Sequence, residues 1–513
     1  MSEKADLILV SDSIFTAASK NPVSGFVSIR NGVVSAVSEG EVPEELISEN
    51  TRVIRLGNRT VTPGFIDVHC FFTGYVIRFI GAGLSGCTCE EEVFSKLNEY
   101  AETLPADRPL FGHGLKFSIS REALDGYDPD RPVVLFAEGC ETCSMNSEAV
   151  KAFNFTPERC WPEAYAAIFP YILADREFIR PQYEAYMKMM NSRGITSVKE
   201  MGFDDFDGFT DILEEMEKDD ALTLRVNFMS QPVRQDINFA YGEKMREKFS
   251  GNMVTFSGYN QMTDGSVSEF NADLKQPYCG TDTCCMQKID WEKLGKDARE
   301  ADSRGFRFSL HAQGDAAIAK TLDIYETCRR DENGKVVLRH AVTDLEFSDP
   351  VDLERMGKLG VIAEIYPQIQ SIASREAKIA MINEKIGAER GRYYWNRRKM
   401  ADSGVVISCG TDLPLLIDDI PQSVYHAVGA YFPEGGEPFN RENTLTVSEL
   451  LGAWTCGGAY NLGKEETLGT LEPGKLADIA VLSGNLFETP AEQARDLKVI
   501  LTVCGGRIVF EGE

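Results

Sequence analysis

The strongest constraint on this chain is an alternation along its middle. Short apolar, β-branched runs are separated by longer stretches with helical spacing. The strand candidates are residues 65–69, 133–137, 195–199, 224–228, 253–257, 306–311, 336–340, 361–365 and 405–412. Residues 291–303 and 316–330 have the spacing of the helices between them. Strand–helix alternation of this kind gives an α/β fold with parallel strands. Nine candidates for an eight-stranded barrel mean that one is extra or misplaced.

The two ends read differently. Residues 26–29 and 33–37 flank Asn31-Gly32, whose ready access to positive φ suits a two-residue hairpin turn. Residues 6–10 and 52–56 are further strands, as are 478–482, while 499–504 and 507–510 flank Gly505-Gly506. A short strand pair is not stable alone. The two ends therefore combine into one small β-domain, with expected boundaries 1–62 and 465–513 around a central domain 63–464.

Composition narrows the partners. The 513 residues carry 53 Lys plus Arg against 80 Asp plus Glu, a formal charge of −27. Phosphate backbones and anionic lipid surfaces repel such a chain, so neither nucleic acid nor membrane is an expected partner. No apolar run approaches the ~18 residues of a membrane span, and the N-terminus lacks the layout of a signal peptide. Thirteen scattered cysteines do not form a disulfide framework, and together these features lead us to expect a reducing cytoplasm. Cys140 and Cys143 form a lone C-x-x-C that reads as free thiols.

Four strand candidates end in a potential metal ligand: His69, His311, His340 and Asp412. Only five histidines occur in the chain, and three of them are here. In a (β/α)8 barrel the C-terminal strand ends form the mouth, where active sites lie. Any one of these residues alone would read as a hydrogen-bonded structural group. Four in register favour a shared site. His113, in Gly112-His113-Gly114, and His426 carry no assigned role.

Several motifs resemble the amidohydrolase superfamily, and within it amidohydrolase family 3, the YtcJ-like metal-dependent hydrolases. They are Val61-Thr62-Pro63-Gly64-Phe65-Ile66-Asp67-Val68-His69, Gly194-Ile195-Thr196-Ser197-Val198, Asp264-Gly265-Ser266, Leu310-His311-Ala312-Gln313-Gly314-Asp315, Arg339-His340-Ala341, Gly410-Thr411-Asp412 and Leu471-Glu472-Pro473-Gly474-Lys475-Leu476-Ala477-Asp478. The resemblance implies a distorted TIM (β/α)8 barrel plus a small composite β-sandwich domain formed by both termini.

The departures bear on the metal. The family's His-x-His pair is His69-Cys70-Phe71 here, and Phe71 cannot ligate. The carboxylated lysine that can bridge two ions falls at Asn260, a later loop histidine at Cys140, and the Glu before the sixth-strand His at Arg339. The resemblance then implies at most one divalent metal, zinc first, held by His69, His311, His340 and Asp412, or none. Cys140, Glu200 and Lys199 are candidate replacement ligands.

The implied activity is hydrolysis of a carbon–nitrogen bond in a small amide, cyclic amide or N-acyl substrate. Asp412 would be the general base and acid, His340 a second catalytic group, and Arg339, Phe71 and Asn260 would line the substrate site. Two alternatives stay open. One is a metal-free isomerase, lyase or hydrolase using His and Asp. The other is a binding homologue without catalysis. The resemblance also allows a homodimer.

Overall fold

The computed structural model describes residues 4–138, 142–157, 160–202, 208–232, 235–416 and 419–512. The chain divides into two units, residues 1–70, 187–204 and 219–513 in the first and 71–186 and 205–218 in the second. Five strands come first: β1 (Leu7–Ile14), β2 (Val23–Arg30), β3 (Val33–Glu39), β4 (Arg52–Arg55) and β5 (Thr60–Pro63). Then follow β6 (Phe65–Cys70), β7 (Ala82–Gly83), β8 (Leu110–Leu115), β9 (Val133–Ala137) and β10 (Cys143–Met145). After these come β11 (Ile195–Met201), β12 (Arg225–Ser230), β13 (Val254–Met262), β14 (Arg307–Ala312), β15 (Ala341–Asp344), β16 (Ile362–Ile365) and β17 (Ile407–Cys409). The chain closes with β18 (Ile479–Leu482), β19 (Val499–Cys504) and β20 (Arg507–Glu511).

In the first unit, β6 and β11 to β17 form an eight-stranded sheet in the order β17-β16-β15-β14-β13-β12-β11-β6. Every neighbouring pair in it is parallel. The sheet curls until its ends meet: Cys70 bridges Leu413 in parallel, and the Asp412 N–H donates to His69 O at 2.8 Å. The result is the expected α/β barrel. β6, β11, β12, β14 and β16 are buried along their whole length, as a parallel sheet covered on both faces requires.

Two of the nine strand candidates behave differently from expectation. Residues 133–137 do form a strand, β9, but it belongs to the second unit's four-stranded sheet, β10-β9-β8-β7. Residues 336–340 do not form a barrel strand. Val336 makes only an isolated bridge to Arg330, Val337 is exposed, and Arg339 turns the chain at φ 55°. The strand starts one residue after His340.

The termini build one sheet, ordered β20-β19-β18-β5-β1-β2-β3, with β4 also pairing β1. Its core includes Leu7, Leu9, Val27, Ile29, Val61, Ile479, Val481, Leu501 and Val503. The β2–β3 turn has φ 50° at Asn31 and 78° at Gly32, both positive as the sequence suggested. The other hairpin turn abuts it: a Cβ at Gly506 would fall 2.8 Å from Gly32 Cα. The barrel is tied to this sheet by a two-pronged ion pair from Arg225 on β12 to Asp478, at 2.9 and 3.0 Å.

Among the described residues, no helix is long and apolar enough to cross a membrane, and every described cysteine is a free thiol.

Candidate active site

The barrel's C-terminal ends gather His69 from β6, His311 from β14, Asp344 from β15 and Asp412 just past β17. Parallel register sets their level, for His311 pairs with Thr343 and Ala312 with Asp344. His311 Nε2 lies 3.1 Å from Asp344 Oδ2, and Gln313 Nε2 donates to the same oxygen at 2.6 Å. His311 Nδ1 faces Asp264 Oδ1 at 3.7 Å. Asp264 in turn accepts from the backbone N–H groups of Gln313, Gly314 and Asp273, which pins the loop after β14.

Across the mouth, His69 Nε2 stands 3.7 Å from Asp412 Oδ1, and its ring centroid lies 5.3 Å from that of Tyr366. Gly410 permits the approach, because a Cβ there would sit 2.7 Å from His69 Cβ. Beneath, Asp67 on β6 accepts from Thr411 Oγ1 at 2.6 Å and from the Thr411 and His69 N–H groups, locking β6 to the end of β17. Asp344 and Asp412 hold left-handed backbones, φ 79° and 50°, a conformation common where the chain turns a functional group inward.

The electrostatics separate these groups. Burial opposes a charge on His311, but the Asp344 hydrogen bond and the carboxylates of Asp344, Asp264 and Asp412 overcome it and raise its pKa to about 9. Burial, with repulsion from Asp344, lifts Asp412 to about 8. Burial lowers the pKa of His69 despite Glu364. The shifts run in opposite senses: His311 is driven toward its charged form, and His69 and Asp412 toward their neutral forms.

Under His69 lies a buried charge cluster. Glu364 on β16 pairs with Lys199 on β11, accepts from Asn461 Nδ2 at 2.9 Å and lies 3.9 Å from Arg307 Nη2. Its other oxygen faces His69 Nδ1 at 3.5 Å. Burial works against the charge of Glu364, but Lys199, His69 and Arg307 outweigh it and bring the carboxyl to about 2. Burial pulls Lys199 down to about 7.

Three sequence expectations are corrected. His340 is not at the mouth. It precedes β15, where its Nδ1 accepts from Phe308 N–H at 3.0 Å and its Nε2 lies 3.1 Å from Asp302 Oδ1. Phe308 is three residues below His311 on β14, so His340 belongs to the opposite end of the barrel. Arg339 is there too, pairing with Glu465 and stacked 4.2 Å over the Tyr460 ring, so it is not a mouth residue. Lys199 serves Glu364 rather than replacing a ligand.

Asn260 does lie on an inner face. It pairs in register with Ser309, two residues below His311, and donates to Gln231 Oε1 at 2.7 Å. Phe71 opens the second unit as the extended residue before the helix Phe72–Val76. Glu200 is buried on β11, where alternation turns it from the face that Lys199 occupies. Cys140 lies outside the described residues.

The sequence reading missed Asp344, Asp264, Glu364 and Asp67. A charge inside an apolar run was the available signal for Glu364, and its i, i+2 spacing from His69 was the signal for Asp67.

Comparison with known proteins agrees with this architecture. A family profile described as the amidohydrolase family matches residues 52–510. The chain belongs to the amidohydrolase family. This amidohydrolase is 24% identical to YtcJ of Bacillus subtilis, over 97% of this chain and 98% of that one. It is 21% identical to an N-substituted formamide deformylase of Arthrobacter pascens, over 100% and 99% of the two chains. Among solved structures, an uncharacterized metal-dependent hydrolase from Pyrococcus horikoshii shares its fold, with a TM-score of 0.72 and 21% identity over 94% of this chain and 99% of that one. The amidohydrolase is thus a hydrolase on a TIM-like barrel.

A metal-dependent structural relative raises the question of fit. Asn260, on the barrel's inner face, is an amide and cannot be carboxylated to bridge two ions. The mouth donors are engaged in pairs, His311 with Asp344 and His69 with Asp412. Among the described residues, the one trio with donor atoms within 4.8 Å of one another is Asp302, Cys328 and His340. There the Phe308 N–H occupies His340 Nδ1, so Nε2 carries the proton toward Asp302, and an ion would have to displace it. No three of the described mouth donors gather within 4.8 Å of one another, so they do not fit an ion held by three protein ligands.

Proposed function

We propose that this amidohydrolase cleaves a carbon–nitrogen bond in a small amide, cyclic amide or N-acyl compound, using acid–base chemistry shared by His69, Asp412 and the His311–Asp344 pair. The observation that carries the reading is the 3.7 Å approach of His69 Nε2 to Asp412 Oδ1 beside that pair. It sets a neutral base and a protonated acid side by side. Environments that push neighbouring groups to opposite protonation states mark base and acid assignments.

In this reading a water gives a proton to His69 Nε2 as its oxygen attacks the carbonyl carbon. Negative charge builds on the carbonyl oxygen, and the His311 imidazolium, held in orientation by Asp344, stabilises it. Asp412 passes its proton to the nitrogen as the carbon–nitrogen bond breaks, releasing an amine and a carboxylic acid. His69 then returns its proton to Asp412. No step is assigned to an ion. The name of the formamide deformylase relative, which aligns over 99% of its own length, lends the bond class support.

The test is turnover of a panel of formamides, N-acyl amines and lactams, read as released amine, for wild type and Asp412→Asn. Turnover that falls at least ~100-fold in the variant supports the reading. A silent panel, or a variant as fast as wild type, rejects it.

A further inference from the structure

We propose that Arg397 and Trp395 form a binding site for a monatomic anion such as chloride, in a small cavity beside the barrel mouth. The site is independent of the reaction proposed above.

Asp344, Tyr366, Trp395 and Arg397 line the cavity, with Ile369 and Met400 among its apolar walls. Asp344 also pairs with His311, and Tyr366 packs on His69, so the cavity adjoins the mouth. Its volume is about 10 Å³, room for one water-sized occupant.

Two donors meet there without a matching acceptor. Arg397 is 4% exposed and Trp395 6%. The guanidinium carbon stands 5.9 Å from the centre of the indole ring. Of the guanidinium's N–H groups, Nη1 reaches only Gln370 Oε1 at 3.4 Å and Nη2 only Tyr366 O at 3.5 Å. Among the described residues Arg397 makes no ion pair. Glu346, the carboxylate whose charge acts on it, is taken by Lys378 at 3.2 Å and by the Tyr394 hydroxyl. Trp395 Nε1 is buried without a hydrogen-bond partner. Trp395 also holds φ 50°, uncommon for a bulky residue, while its N–H donates to Glu346 O at 2.7 Å.

A buried charge without a counter-charge is strongly unfavourable. Burial lowers the pKa of Arg397 to about 10 despite Cys409 and Glu346, which leaves it charged at neutral pH. An anion supplies the missing charge and accepts from both the guanidinium and the indole N–H. A water would accept from the indole but leave the guanidinium uncompensated. The size of the cavity selects a monatomic anion over a carboxylate or a phosphate.

The experiment is a thermal melt of protein prepared in sodium gluconate and titrated with sodium bromide at constant ionic strength. Crystals soaked in the same bromide give an anomalous map. The expected results are a saturable rise of about 2–4 °C and an anomalous peak between Trp395 Nε1 and the Arg397 guanidinium. Arg397→Met, which removes the charge and keeps the bulk of the stem, should abolish the rise. Trp395→Phe, which keeps a ring and removes the donor, should raise the half-saturating bromide about tenfold.

A melt that ignores bromide, a rise that persists in Arg397→Met, or a map without that peak overturns the proposal. So does a rise with sodium acetate equal to that with bromide, which would mark a carboxylate site. Should Arg397→Met fail to fold, Trp395→Phe and the anomalous map decide.

Discussion

His311 and His340 sit at opposite ends of the barrel although only one strand–helix repeat separates them. His311 reaches Asp344 at the mouth, and His340 reaches Asp302 near the strands' N-terminal ends. Variants at the two positions should therefore fail differently. His311→Asn should fold normally and lose at least ~100-fold in kcat, because it removes a charged group placed for the developing oxyanion. His340→Asn should act on stability, at about 1–3 kcal/mol for each buried partner left unsatisfied. Urea melts and kinetics on the same preparations check both.

Asp344 holds His311 and also meets Gln313. Asp344→Asn keeps the shape and removes the charge. The expected outcome is a kcat lowered about 10²-fold or more with the fold intact. Circular dichroism and turnover of the best panel substrate provide the check.

Metal removal should leave the enzyme working. Dialysis against a chelator, followed by elemental mass spectrometry, should show well under one ion per chain and an unchanged rate. One tightly held ion whose loss abolishes turnover would refute the metal-free reaction.

Gly410, just past β17, lies close against His69, and an added Cβ would meet His69 Cβ at 2.7 Å. Gly410→Ala should cost about 1–3 kcal/mol through overpacking and should lower kcat as well, because the atom that yields belongs to the proposed base. Thermal melts paired with kinetics test this. Equal activity at reduced stability would place the strain elsewhere.

His426 gives the pH dependence. It donates through Nδ1 to Tyr431 O at 2.8 Å, and burial, helped by Arg397 and Arg495, lowers its pKa to about 4 from an ordinary 6.5. The unfolded chain takes up a proton below 6.5 that the native protein refuses until about 4. Its stabilising contribution is thus complete above pH 6.5 and is lost as pH falls to about 4, on the order of 3 kcal/mol. Denaturant melts from pH 7 to 4 should show this loss, and His426→Gln should flatten it.

Much of the architecture was legible because it follows from short-range rules. Asn31-Gly32 and Gly505-Gly506 announced the hairpins at both ends, and the strand–helix alternation announced the barrel. The site was legible only in part. Asp412 lies three residues past β17, and His69 and His311 lie at true strand ends. His340 does not, because the run 336–338 has the look of a strand while the hydrogen-bonding partners that define one begin at Ala341. That shift moved the mouth carboxylate of β15 to Asp344, which no local pattern marks. Glu364 was hidden for another reason. Its environment is made by Lys199 and His69, residues 165 and 295 positions away, and long-range charge pairing leaves no periodic trace in a sequence.

The strand β5 lies between β1 and β18, with Ile479, Ala480 and Val481 opposite Pro63, Thr62 and Val61. More than four hundred residues separate these partners. During synthesis, β1 to β5 must wait with an open, apolar edge while the whole barrel emerges from the ribosome. A nascent chain halted anywhere before Ile479 would carry that edge uncovered, ready to pair with another copy. The terminal sheet can therefore close only on a chain synthesised past Ile479.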